Sequence, residues 1–104
     1  MGERHLWANQ QKARNIQAKL VACGLTVNYV KFNVANNRYD TFCVSIKSYN
    51  PGLDIDTIKN CGLSGKSEEF EAAGITAIYP RVLIRAYGKD GRRNFTFHVM
   101  IRRE

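Results

Sequence analysis

The sequence has few of the residues that build metal sites, disulfide frameworks and rigid loops. Its 104 residues include three cysteines, two histidines and two prolines. Cys23, Cys43 and Cys61 are odd in number and contain no Cys-x-x-Cys pair, so neither a zinc site nor a disulfide framework is predicted. We therefore expect free thiols in a reducing, cytoplasmic compartment, with no metal and no other cofactor.

Long apolar stretches are also missing. The sequence contains no run of the roughly 20 apolar residues that a membrane-spanning helix needs. Its first residues, Met1 to Leu6, lack the apolar region of a signal peptide. We expect an intracellular protein without membrane association. An apolar content of 44% predicts a real hydrophobic core, and the length fits one compact domain over residues 1–104.

Acidic residues are scarce outside one segment. Nine Asp and Glu stand against sixteen Lys and Arg, which gives a formal net charge of +7. Residues 53–74 hold five of the acids and two of the bases, so the other 82 residues carry +10. This imbalance predicts an anionic partner, most simply DNA or RNA, although solubility alone is another explanation.

The most informative stretch is the C-terminal hairpin, Ile75 to Arg103. Asp90-Gly91 favours a two-residue turn, since both positions tolerate positive φ. Pairing the strands outward from this turn sets Ile84 against Phe97 and Arg85 against Thr96. Alternation of side chains then separates an apolar face from a basic face. The basic face carries Arg81, Arg85, Tyr87, His98 and Arg102.

The first part of the chain predicts a helix followed by a hairpin. The three- and four-residue spacing of Ile16, Leu20 and their neighbours predicts an amphipathic helix over 6–23, ended by Gly24. Its charged residues, including Lys12, should face water. Strands are predicted over 25–34 and 39–48, with a turn at Asn36-Asn37.

Aromatic and β-branched residues set the faces of this hairpin. We expect Phe32 to meet Phe42 and Val30 to meet Val44, with Val34 on the same core face. The opposite face then holds Tyr29, Lys31 and Lys47, among other residues. Strict alternation would place the apolar residues 25 and 27 on the polar face of this hairpin. This indicates either a bulge near Asn28 or a segment covered on both sides.

The middle of the chain predicts two short helices. Asp54 is a candidate cap for a helix through Cys61, and Ser67 for a second one. A third strand begins at Ile75, and Pro80 places it at a sheet edge or at a bulge. The resulting order, α-β-β-α-β-β, predicts an α+β fold with a four-stranded antiparallel sheet and helices packed on one face.

Catalytic motifs are weak. Gly62-Leu63-Ser64-Gly65-Lys66-Ser67 resembles the end of a phosphate-binding loop, but position 60 is Asn where that pattern needs glycine. Cys43 and His98 share the predicted basic face, which makes them the one conceivable nucleophile–base pair. A small neutral cysteine in a strand is the better explanation of Cys43. We therefore expect a non-enzymatic protein.

The basic sheet face is the best candidate site. Rings and cations together on an exposed sheet suit a single-stranded nucleic acid, because bases stack on rings while Lys and Arg neutralise phosphates. The hypothesis is a nucleic-acid-binding protein that uses this face and the basic loop of the C-terminal hairpin. The predicted contacts are Tyr29, Lys31, Lys47, Arg81, Arg85, Tyr87, Arg92, Arg93, His98 and Arg102.

A second hypothesis is a protein partner. The same face can dock on an acidic protein surface, since Tyr, Met and Arg are favoured at interfaces. A small domain without a catalytic set and with uneven charge also fits a viral or mobile-element accessory protein that inhibits a host assembly, such as a defence nuclease complex. If the aromatic-rich fourth strand lies at an edge, it can pair with a second copy in a homodimer.

Overall fold

The chain alternates one helix with two strands, twice. The computed structural model describes residues 2–48, 51–63, 79, 81–90 and 93–103, and the backbone alone for 2–7, 51–53, 55, 86, 87, 89 and 90. Its elements are α1 (Gly2–Ala22), β1 (Thr26–Ala35), β2 (Tyr39–Lys47), α2 (Pro51–Lys59), β3 (Val82–Asp90) and β4 (Asn94–Arg102). The strands form one antiparallel sheet in the order β1-β2-β4-β3. The predicted fold class and element order are confirmed.

A single core lies between one face of the sheet and the two helices. α1 contributes a buried stripe at three- and four-residue spacing, Ala13, Ile16 and Leu20. α2 adds Ile58 to the same cluster. The sheet contributes its inward residues from β2 and β4, which are Phe42, Val44, Ile46, Phe95, Phe97, Val99 and Ile101. In the described part of the chain, all the helical contributions to the core come from one side of the sheet.

α1 ends in a Schellman motif. The N–H of Leu25 donates to the carbonyl of Leu20 at 3.2 Å, and the N–H of Gly24 donates to that of Val21 at 2.9 Å. Gly24 has a φ of 92°, in the left-handed region that disfavours side chains. The glycine therefore ends the helix, as predicted, and turns the chain into β1.

We expect Gly24→Ala to lower the free energy of unfolding by about 1–2 kcal/mol, the usual penalty for an L-residue in this region. A Cβ at this position would meet nothing within 4 Å, so the effect comes from the backbone alone. Urea denaturation measures it. Gly24→Asn is the control and should lose less, because asparagine tolerates this conformation. Equal losses for both variants would contradict the explanation.

The first hairpin pairs largely as predicted. Phe32 faces Phe42 and Val30 faces Val44. A register shift between Val27 and Tyr29 shows the bulge at Asn28, which settles the two alternatives for that segment. The turn forms at Asn36, whose Oδ1 accepts hydrogen bonds from the N–H groups of residues 38 and 39 at 2.8 Å each.

Val34 was placed wrongly on the core face. A second register shift, between Phe32 and Val34, pairs Val34 with Thr41 on the opposite face. The bulge inserts one residue, and one residue is enough to exchange the two faces of a strand. Val34 is consequently 54% exposed. Nothing in the alternation of the sequence marks this second bulge.

Phe32 is on the predicted face but is only partly covered. Its ring meets that of Phe42 edge-on with centroids 5.6 Å apart, yet 37% of the residue stays exposed. It borders a groove of about 430 Å³ between α1 and β1, whose floor includes Ala13 and Val30. β1 is an edge strand, so α1 covers it incompletely.

The C-terminal hairpin has the predicted faces and a different register. Asp90 still belongs to β3 and pairs with Asn94, so the connecting loop is one residue longer than the predicted turn. The longer loop shifts the register of the two strands, and a bulge between Ala86 and Gly88 reverses part of this shift. Gly88 in this bulge has a φ of 100°. The net shift is two residues, which pairs Arg85 with His98 rather than with Thr96. An even shift leaves each inner residue on its predicted face.

β4 is an inner strand, paired with β2 on one side and β3 on the other. The inner position of β4 explains its many apolar residues, since its inward side chains pack in the centre of the core. The suggested two-fold pairing through β4 is therefore wrong, because neither edge of that strand is open. The edges of the sheet are β1 and β3, in keeping with the edge position suggested by Pro80.

The middle of the chain differs from prediction at the start of α2. The helix begins at Pro51, a favoured first helical residue because its missing N–H needs no partner there. Asp54 lies within the first turn, where its carboxylate accepts a hydrogen bond from the Ser48 hydroxyl. The second short helix from Ser67 and the start of a strand at Ile75 lie outside the described residues. No helix among the described residues is long and apolar enough to cross a membrane.

Two cations form ion pairs with one carboxylate at the end of the core. Lys12 Nζ lies 3.0 Å from Asp40 Oδ2, and Arg103 Nη2 lies 2.8 Å from Asp40 Oδ1. The expectation that Lys12 faces water is therefore wrong, since Lys12 shares Asp40 with Arg103. Asp40 sits on the α1 side of β2 among apolar residues, and a buried carboxylate requires such partners.

Candidate functional site: the open face of the sheet

The candidate site is the face of the sheet opposite α1, here called the open face. Its side chains form rows that cross the sheet, since each strand pairs directly with the next. Three of these rows carry charged or exposed apolar side chains. We call them the thiol–imidazole row, the apolar row and the terminal row, and each is defined below by its members.

The thiol–imidazole row runs Lys31–Cys43–His98–Arg85 from β1 to β3. Lys31 and Arg85 are exposed at the two edges, while Cys43 and His98 are half-buried in the middle. A cation therefore stands at each end of a row that crosses the whole sheet. The sequence placed all four residues on this face, but only the observed register makes them direct neighbours.

Next to it lies the apolar row, Val34–Thr41–Met100–Leu83. Val34 and Leu83 are 54% and 41% exposed at the two edges. Thr41, between Val34 and Met100 in the row, is buried although it faces away from the core. The row therefore presents exposed apolar side chains at its two ends, with Met100 half-buried between them.

The terminal row lies beyond the apolar row and contains Tyr39, Arg102 and Arg81. Tyr39 pairs with Arg102 across β2 and β4. The N–H of Arg102 donates to the carbonyl of Arg81 at 3.1 Å, which holds Arg81 beside β4 just before β3 begins. Arg81 and Arg102 are both exposed. The apolar row is thus bordered by cations on both sides.

An aromatic ring and a cation also meet on β1. Tyr29 and Lys31 are two residues apart on the same face, and Lys31 Nζ lies 4.9 Å from the centroid of the Tyr29 ring. This distance is within the range of a cation–π contact. Because Tyr29 remains partly exposed, the pair presents a flat ring and a positive charge together at the edge of the open face.

The far end of the open face holds Lys47 and Arg93, both exposed. The carbonyl of Arg93 accepts a hydrogen bond from the N–H of Ser48 at 2.6 Å, which fixes the loop beside the end of β2. Asn28, the bulged residue of β1, donates to Ser45 Oγ at 3.1 Å and to Asn94 Oδ1 at 3.0 Å. This amide bridge ties three strands together and covers Ser45.

His98 does not contribute a positive charge at neutral pH. Burial lowers the pKa of His98 below its ordinary value of 6.5, because a low-dielectric surrounding disfavours the charged imidazole. The charge of the thiol–imidazole row comes from Lys31 and Arg85. His98 offers a neutral ring in the middle of the row, which suits hydrogen bonding or stacking rather than phosphate neutralisation.

Eight of the ten residues predicted for the site have described positions that converge on the open face or on the loop at its end. Tyr87 is the extra residue of the bulge in β3, and its side chain lies outside what the structure describes. Arg92 lies wholly outside it. The prediction missed Val34, Leu83 and Met100 as site residues. The sequence placed Leu83 and Met100 on this face, but the predicted register of the hairpin was wrong by two residues. The two side chains were therefore not predicted to be neighbours.

The thiols give limited support for catalysis. Cys43 and His98 are direct cross-strand partners, so the proposed nucleophile–base pair is adjacent. Cys23, Cys43 and Cys61 are all free. Burial, followed by the neighbouring Cys23, raises the pKa of Cys61 to about 12, so this thiol stays protonated and unreactive. The phosphate-loop-like segment lies outside the described residues from Ser64 onward.

Metal ligands do not cluster in the described part of the chain, where no three His, Cys, Asp or Glu side chains come together. Comparison with known proteins adds no further assignment. No protein-family model matches the chain, and neither a curated protein nor a solved structure is similar to it.

Proposed function

We propose that this protein is a small non-enzymatic nucleic-acid-binding domain and that the open face is its contact surface. The observation that carries the proposal is the convergence on one sheet face of cations from all four strands, from the residue before β3 and from the loop after it. They border the face on four sides. The cations are Lys31, Lys47, Arg81, Arg85, Arg93 and Arg102.

The distribution of acids supports the same proposal. Asp40 is on the opposite side of the sheet, where Lys12 and Arg103 neutralise it. Among the described residues, Asp90 is the only acid whose register position falls on the open face, and it lies at the end of β3. Among the described residues, the open face therefore carries many more cations than acids, which favours an anionic partner.

Phosphate contacts of this kind make binding dependent on salt. Each neutralised phosphate releases condensed counterions, which gives a slope of log K against log salt of about −0.9 per contact on duplex DNA and about −0.7 on a single strand. Arg85 and Arg102 lie on either side of the apolar row, and both are exposed. We expect each of them to account for roughly one phosphate contact.

The test is the double variant Arg85→Ala with Arg102→Ala. Binding to a fluorescein-labelled oligonucleotide, measured by anisotropy at several salt concentrations, should weaken about tenfold or more, and the salt slope should fall by about two contacts. Both side chains are exposed on the sheet surface, so we expect the melting temperature to change little.

The matched control is Arg14→Ala with Lys59→Ala. It removes the same formal charge, but Arg14 lies on α1 and Lys59 on α2, away from the open face. We expect its affinity to stay within about twofold of that of the wild-type protein, because screening at physiological salt limits long-range effects. Equal losses for the two double variants would show that only net charge matters and would reject the open face as the site.

The second candidate function is docking on an acidic protein surface, including inhibition of a host assembly. The exposed Leu83 and the neighbouring Met100 and Arg102 favour it, since Met and Arg are enriched at interfaces. The two functions are distinguished by using this protein to capture partners from a lysate that has been treated with nuclease. A protein partner survives the nuclease, whereas material bridged by nucleic acid is lost.

A further inference from the structure

The apolar row is not explained by phosphate contacts. Val34 and Leu83 are exposed at its ends, and Met100 is half-buried between them. Exposed apolar groups gain nothing from a phosphate, whereas they pack well against an uncovered base. The row lies between cations on both sides, which favours a nucleic acid whose bases are uncovered.

The dimensions of the face exclude insertion into a duplex. A row crosses four strands, so its three inter-strand steps of about 4.8 Å span roughly 14 Å between backbones, before the edge side chains are added. The major groove of B-form DNA is about 12 Å wide and admits a helix or a two-stranded ribbon. The open face can rest on the outside of a duplex, but Met100, on an inner strand, cannot then reach a base.

The spacing along the strands suits an unpaired chain. On β4, His98, Met100 and Arg102 alternate with inward residues, so neighbouring rows are about 7 Å apart and the outer two about 13 Å apart. The cations of the thiol–imidazole row and of the terminal row can hold phosphates on either side. Bases turned toward the sheet then lie on the apolar row between them.

From this arrangement we infer that the open face selects single-stranded over double-stranded nucleic acid, with bases packed on Val34, Met100 and Leu83 and on the Tyr29 ring. This inference rests on the proposed function and narrows its ligand. DNA and RNA share the chemistry involved, namely unstacked bases on a phosphodiester chain. Phosphates contribute affinity, and the apolar row contributes the preference for unpaired bases.

The experiment compares one labelled mixed-sequence oligonucleotide of about 20 nucleotides, as DNA and as RNA, free and annealed to its complement. Anisotropy titrations at fixed salt should give affinities at least about tenfold tighter for the single strand. The double variant Val34→Ser with Leu83→Ser should reduce single-strand affinity about fivefold or more. It should leave both the salt slope and the weak duplex binding unchanged, because no cation is removed.

Val21→Ser is the matched control. Val21 is 53% exposed on α1, close to the 54% of Val34, but lies on the other side of the molecule. It should not alter binding. Because polar substitution can disturb an edge strand, the circular dichroism spectrum and melting temperature of each variant are recorded, and Leu83→Ser alone serves if the double variant melts early.

The outcomes separate the inference from the proposed function. Equal affinity for single strand and duplex overturns the single-strand inference and leaves nucleic-acid binding standing. A single-strand preference that Val34→Ser with Leu83→Ser does not reduce overturns the role of the apolar row. Failure to bind any of the four oligonucleotides overturns the proposed function itself, and with it this inference.

Discussion

Replacing Phe97 with alanine should lower the free energy of unfolding by about 3–5 kcal/mol, the usual range for a fully buried phenylalanine. Phe97 is 0% exposed on the inner strand β4, between Val44 of β2 and Ala86 of β3. Its ring also lies 6.3 Å from that of Phe95. The loss has two parts, the free energy that burial of the ring contributes and the cost of the cavity left in the core.

Urea denaturation followed by circular dichroism measures this loss, and Phe32→Ala is the control. The two substitutions remove the same atoms, but Phe32 is on the edge strand β1 and is 37% exposed. We expect about 1–2 kcal/mol for Phe32→Ala, because part of its surface is already in water. If Phe32→Ala were as harmful as Phe97→Ala, the described core would not be centred on β4.

The second large effect is expected at Asp40. Asp40→Asn removes the charge that Lys12 and Arg103 share, and we expect a loss of about 1–3 kcal/mol at neutral pH. The loss stays below that of a fully enclosed ion pair, since both cations are partly exposed and can turn to water. Asp56→Asn, at an exposed position on α2, is the control and should have little effect.

The contribution of Asp40 should also depend on pH. Burial works to raise the pKa of Asp40, but hydrogen bonds from Arg103 and Lys12, with their positive charges, outweigh it and hold the pKa below its ordinary value. A lowered folded-state pKa means that the stabilisation is fully present above the unfolded pKa of about 4 and is lost as the pH falls below it. The difference in stability between wild type and Asp40→Asn should therefore shrink in acid. A difference independent of pH would contradict the ion-pair explanation.

These stability effects are confined to one side of the sheet. The hydrophobic core and the Asp40 cluster both lie on the face that packs against α1, and no described helix packs on the open face. Substitutions of exposed residues such as Arg85 or Leu83 should therefore change binding with little change in folding. This separation is what makes the binding tests interpretable.

Local chemistry was sufficient to predict the elements and the faces. Gly24 ends α1 because only a residue without Cβ adopts its φ freely, and Asn36 makes the first turn with its own side chain. Alternation is strict in β4 and is broken in β2 on the core side by Asp40 alone, so the inward side of both inner strands follows from the sequence. The cations of the site were found for the same reason, since they occupy the polar positions of that alternation.

Register and bulges were not predictable in the same way. Asp90 favours a turn, yet it pairs with Asn94. The loop length and the bulge at Tyr87 together set this register, and both depend on how β3 packs against β4. The bulge before Val34 likewise has no local signal. These one-residue insertions decide which side chains meet across strands, and they brought Arg85 beside His98 and Leu83 beside Met100.

The sequence by itself determined the α+β class, the order of the elements, the two faces of the C-terminal hairpin and the excess of positive charge on the open one. Short-range steric rules and side-chain alternation suffice for these properties. Only the tertiary structure decided the inner place of β4, the enclosure of Asp40 by Lys12 and Arg103, and the apolar row between two sets of cations. Each of these joins residues that are distant in the chain, and their contacts depend on how the whole core packs.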